Sequence, residues 1–113
     1  MAARRLTSLT MTPDEPSLVS VEWPHLAAEL ATALREEGEH DLANQVGALR
    51  VLARCGCDDD FCQSFYTAPK PTGTYGSGHR NVGLSPSKPA YLILDVVNDA
   101  IMYVEVLYRP PLT

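Results

Sequence analysis

The chain has no apolar run long enough to cross a bilayer, no excess of positive charge and only three cysteines. Each shortage excludes something. A spanning helix needs about 20 consecutive apolar residues, and none are present. Nine basic side chains against fourteen acidic ones leave a net charge of −5. That excludes a nucleic-acid binder that works by neutralising phosphates, which needs a basic face. An odd number of cysteines does not make a disulfide framework. The opening Met1-Ala2-Ala3-Arg4-Arg5-Leu6-Thr7 has the charge of a signal peptide without an apolar stretch behind it. The expected compartment is therefore the cytoplasm, where stable disulfides do not persist. The glycines at 73, 76 and 78 are followed by neither Lys-Ser/Thr nor a helix start, so they do not form a phosphate loop. Ser/His/Asp spacing, paired carboxylates and a basic stripe with interleaved aromatics are also missing. Nothing requires an enzyme.

What is there describes one α+β domain. At 113 residues the chain is long enough for a single core and too short to divide. Residues 1–20 show no periodicity and contain Pro13 and Pro16; they are expected to be a disordered or over-long tail, with the folded domain over 21–113. Pro24 suits the first turn of a helix, where a missing N–H has no partner to lose. Leu26, Leu30, Ala33 and Leu34 follow at helical spacing, and Gly38 supplies a left-handed stop. A second, shorter helix is expected over 39–46.

From Leu49 the period changes to two. Alternation over 49–55 predicts a strand, the three aspartates at 58–60 a turn, and the aromatic run at 61–67 the returning strand. The eleven residues 68–78 have no apolar pattern, and a loop of that length is either functional or loose. A short strand at 80–84 and a proline-bounded turn at 85–89 precede the strongest signal. There, Tyr91-Leu92-Ile93-Leu94-Asp95-Val96-Val97 and the run from Ala100 to Tyr108 flank Asn98-Asp99, a turn pair that tolerates positive φ. With Val97 opposite Ala100, regular pairing places Leu92, Leu94, Val96, Ile101, Tyr103, Glu105 and Leu107 on one face. Tyr91, Ile93, Asp95, Val97, Met102, Val104, Val106 and Tyr108 then occupy the other. The fold expected is an antiparallel sheet of four to five strands with two N-terminal helices packed on one face. With both hairpin faces so apolar, the second face must be covered by the loop at 68–78 or by another chain.

The helical N-terminal part, the Cys-Gly-Cys…Cys-Gln-Ser-Phe-Tyr-Thr hairpin, the Gly-His-Arg-Asn-Val stretch and the closing hairpin together resemble small uncharacterised bacterial proteins, actinobacterial and proteobacterial. The resemblance covers roughly residues 24–109. It implies no activity and carries over no functional residues.

The cysteines lie within eight residues, Cys55-Gly56-Cys57-Asp58-Asp59-Asp60-Phe61-Cys62. A zinc site needs four thiolate or imidazole donors. Cys55, Cys57 and Cys62 supply three, and His79 is the nearest fourth, with Asp58 or Asp60 as oxygen alternatives. A single residue between Cys55 and Cys57 disfavours chelation unless Gly56 bends the chain. Redox chemistry is disfavoured because neighbouring aspartates oppose thiolate formation. The third reading is thiols packed as small hydrophobes in the hairpin. A binding pocket for an anion or carboxylate is the other candidate, built from Arg54, Tyr66, Tyr75, His79 and Arg80. Its plain alternative pairs Arg80 with Glu105 or Asp95. Asp95 itself is expected to bond a tyrosine or an arginine.

The function expected first is a non-catalytic interaction protein, such as an immunity- or antitoxin-like inhibitor. Its partner is another protein or a second copy through the C-terminal hairpin, with no nucleic acid and no membrane. A small zinc-binding protein is the alternative, and an enzyme around Arg54, Tyr66, His79 and Arg80 the third.

Overall fold

A computed structural model describes residues 15–56, 60–84 and 91–113. Its helices are α1 (Val19–Glu22), α2 (Pro24–Glu36) and α3 (His40–Gln45), followed by a 3₁₀ turn, Val46–Ala48. The strands are β1 (Ala53–Arg54), β2 (Phe65–Tyr66), β3 (His79–Leu84), β4 (Tyr91–Val97) and β5 (Ala100–Leu107). They form one five-stranded antiparallel sheet in the order β1-β2-β5-β4-β3. The fold is α+β, with the helices on one face. Among the described residues no helix is long and apolar enough to cross a membrane.

Helix α2 forms where its apolar spacing places it. Leu26, Ala27, Leu30, Ala33 and Leu34 are all buried on one side. At its end Gly38 takes φ +80°, its N–H donates to the Arg35 carbonyl, and the Glu39 N–H donates to Leu34. This pair of bonds satisfies carbonyls that the last helical turn would otherwise orphan. At its start Leu26 N–H donates to the Thr113 carbonyl, so the end of the chain serves one of the unpaired first-turn donors. The core joins these residues to Val19, Trp23, Leu42 and Val46, and to Phe65, Val82, Leu84, Leu92, Leu94, Val96, Ile101, Val104 and Val106 from the sheet.

Three expectations need correction. Residues 17–20 belong to the fold. Val19 is fully buried, its N–H bonds Leu49, and Val51 N–H bonds Ser17. A four-residue helix is too short to display a period. That pairing also explains why 49–55 is not one strand: Leu49 to Val51 serve the segment before α1, and only Ala53 and Arg54 join the sheet. The returning strand is likewise reduced to Phe65–Tyr66, with Cys62 bridging Leu107. Between them the Ser64 hydroxyl accepts the Val106 N–H and displaces a regular ladder bond. Of the turn at 58–60 only Asp60 is described, and the turn at 85–89 lies outside the described residues.

The third correction concerns register. The closing hairpin turns at Asn98-Asp99, both with positive φ, and Val97 pairs with Ala100 as expected. Val96 pairs with Ile101, but Asp95 pairs with Tyr103, which leaves Met102 as an extra residue in β5. A bulge of this kind exchanges the faces of everything beyond it. Val104 and Val106 turn inward and are buried, while Tyr103, Glu105 and Leu107 join Tyr91, Ile93, Asp95 and Val97 outside. The apolar surplus expected on the second face is thereby much reduced. Strand β5 also lies inside the sheet, between β2 and β4, so it offers no edge for pairing with a second copy.

Candidate functional site

The face of the sheet away from the helices carries most of the chemistry. Strand alternation places Cys55, Cys62, Ser64 and Tyr66 on this side, opposite Tyr103, Glu105 and Leu107. With Phe61 they line an open trough of about 360 Å³. Tyr66 and Tyr103 form one wall, their ring centroids 4.4 Å apart. Burial raises the Tyr103 phenol above the ordinary tyrosine range; Ser64 opposes this by hydrogen bonding, and nearby Cys62, Tyr66 and Glu105 reinforce it. The phenol therefore stays protonated at neutral pH and can donate.

At one end of the trough the rings of Phe61 and Tyr108 stack 4.7 Å apart, and Tyr91 meets Tyr108 edge-on at 5.7 Å. Tyr91 is 56% and Tyr108 57% exposed. Tyr108 sits at φ +59°, a conformation that costs a non-glycine residue about 1–3 kcal/mol. Its N–H donates to the Phe61 carbonyl at 2.8 Å, which helps to hold the turn.

Outside the trough, the end of the open face nearest the Asn98-Asp99 turn is polar. His79 Nε2 lies 2.7 Å from Asp95 Oδ1, and Asn81 Nδ2 donates to the same oxygen at 2.6 Å. Asp95 thus bonds a histidine and an asparagine instead of the tyrosine or arginine expected. Tyr75 packs on His79 with centroids 4.9 Å apart, and burial raises its phenol, with Asp95 adding to the effect. Lys70 Nζ stands 5.9 Å from the centre of the Tyr66 ring. Thr67, which opens this stretch, is pinned to β5 through its Oγ1 and N–H. The segment 68–78 therefore touches this end of the face at both Lys70 and Tyr75.

The five residues expected to form one binding pocket are divided. Tyr66, Tyr75 and His79 belong to the open face. Arg54, opposite inward-facing Phe65, lies on the helical side with its guanidinium 4.7 Å from the Trp23 ring. Arg80 also turns to that side and donates to both Glu39 oxygens at 2.8 and 3.0 Å. Its bonds hold the Glu39 carboxyl below the usual range. Neither Glu105 nor Asp95 is its partner. The four-residue pocket of the enzyme reading does not assemble.

The metal candidates also separate. Cys55 and Cys62 share a face, with Sγ atoms 3.1 Å apart, while Cys57 lies outside the described residues. His79 pairs with Val97, and Cys62 with Leu107, which is opposite Tyr91. Val97 is six residues along β4 from Tyr91, roughly 20 Å away, so His79 does not complete a cysteine site. Among the described residues no group of three His, Cys, Asp or Glu is placed to hold a metal.

The missed signal was the placement of Tyr103 and Glu105 on the same face as Cys55 and Ser64, which the bulge at Met102 creates. The chain matches no family model, and no curated protein and no solved structure matches it.

Proposed function

We propose that this chain is a non-catalytic cytoplasmic interaction protein that binds another protein through the open sheet face. The observation that carries this reading is the exposed Phe61–Tyr91–Tyr108 group at the mouth of the trough. Exposed aromatics beside a concavity are the usual anchors of a protein interface. The positive φ of Tyr108 places strain where the proposed contact is made. Asp95 and Glu105 lie along the same face, and the chain as a whole is acidic. This favours a partner that presents an apolar side chain flanked by lysine or arginine. An immunity- or antitoxin-like inhibitor is one form of that relationship. Nucleic acid is not the partner.

Peptides selected from a random display library against the folded protein are expected to combine an aromatic or aliphatic anchor with basic neighbours. Their affinity should fall roughly tenfold or more, about 1.4 kcal/mol, for Tyr91→Ala combined with Tyr108→Ala. Equal affinity for the variant would overturn the proposal. Sedimentation at micromolar concentration distinguishes self-association: a dimer that Tyr108→Lys dissociates makes the partner a second copy, docked face to face.

A further inference from the structure

Tyr66, Tyr103, Asp95 and Asn81 stand opposite one another in a single row across β2, β5, β4 and β3. The bulge at Met102 completes this row, because it turns Tyr103 onto the open face beside Asp95. The Tyr66 and Tyr103 rings meet at 47°, and the face of each ring carries partial negative charge. His79 and Asn81 both bond Asp95 Oδ1, so Oδ2 is the oxygen left for a further donor. Glu105 stands near the Tyr103 phenol on the trough side. The patch attracts cations. The chain supplies one of its own: Lys70 Nζ lies 5.9 Å from the Tyr66 ring centre, inside the ~6 Å reach of a cation–π contact. Among the described residues no carboxylate pairs with Lys70, so the ring is its partner. Pro69 and Pro71 flank it and restrict the backbone that presents it.

We propose that the Tyr66–Tyr103–Asp95 row is a subsite for an alkylammonium group, occupied in the free chain by Lys70. The subsite rests on the protein-binding reading only for its source of ammonium, which on that reading is a lysine of the partner. The strands fix where that lysine lies. Tyr91 and Asp95 are four residues apart on β4, as are Leu107 and Tyr103 on β5, a span of about 13 Å. A partner strand lying along the face therefore carries its lysine four positions from its apolar anchor. That even spacing keeps both side chains on one side of the strand. The lysine enters by displacing Lys70, so the segment 68–78 competes with the partner for its own face.

The probe is n-butylammonium, a lysine side chain without its backbone, titrated at constant ionic strength into the isotope-labelled full chain. Lys70 is exposed, so Lys70→Gln removes the competitor without touching the core. In that variant the probe is expected to shift the Tyr66 and Tyr103 ring resonances with an apparent Kd roughly two- to fivefold lower than in the parent. That is the factor for one exposed ammonium–ring contact. Equal Kd in parent and variant, or no ring shifts in either, would overturn the proposal. A peptide with phenylalanine and lysine four positions apart then tests the source. It should bind Lys70→Gln more tightly than the parent, while the same peptide with norleucine for lysine should not distinguish them. Equal gain for the norleucine peptide would overturn the proposal. If neither peptide binds and n-butylammonium does, the subsite stands and the protein-binding reading falls.

Discussion

Phe65→Ala is expected to destabilise the protein by about 3–5 kcal/mol, the range for removing a large aromatic from a packed core. Phe65 is 0% exposed and its ring lies 5.1 Å from that of Trp23. It pairs with Val104 in β5, so it joins the helical layer to the centre of the sheet. Strand β2 has only two residues in the ladder, which leaves few backbone bonds to hold the segment once the ring is gone. The cavity would open directly beneath Trp23 and loosen the Arg54 guanidinium above it. Urea unfolding followed by tryptophan fluorescence measures the loss. Tyr66→Ala, on the same strand but facing the open side, should cost less than half as much. Equal costs would mean that the two faces of β2 are not distinguished as described.

Removing Glu29 should cost much more than removing Arg109, although the two form one ion pair. Arg109 Nη2 donates to both Glu29 oxygens, at 2.7 and 2.9 Å. The Arg109 side chain is 5% exposed and that of Glu29 23%. Among the described residues the buried Nη1 of Arg109 has no hydrogen-bond partner, so the guanidinium depends on Glu29 for its compensation. Glu29→Ala strands a buried charge, at a cost of about 3 kcal/mol or more. Arg109→Met leaves a carboxylate that can turn to water and fills the space with an apolar stem, a change of about 1 kcal/mol. Denaturant unfolding of both variants and the double mutant closes the cycle. A larger loss for Arg109→Met than for Glu29→Ala would contradict the assigned burial.

Legibility of this fold followed the length of each pattern. Helix α2 could be read because its thirteen residues repeat a clear period, and the closing hairpin because fifteen mostly β-branched, aromatic and aliphatic residues flank the Asn98-Asp99 turn. The bulge at Met102 could not, because β5 is apolar at nearly every position and a register slip leaves no mark in such a run. The partner of Arg80 is Glu39, 41 residues away, and only the docking of α3 against the sheet brings them together. His79 failed as a cysteine neighbour for a similar reason. It lies only seventeen positions after Cys62 in the chain, but the order β1-β2-β5-β4-β3 sends them to opposite ends of the face. The shared side of Cys55 and Cys62, in contrast, follows from local hairpin pairing.

NMR titration of isotope-labelled protein with a selected basic, aromatic peptide tests the binding face residue by residue. The predicted result is saturable shifts concentrated at Phe61, Cys62, Tyr91, Tyr103, Leu107 and Tyr108, with the helical surface around Glu29, Glu36 and Glu37 unmoved. Shifts confined to that helical surface, with the trough residues unchanged, would contradict it.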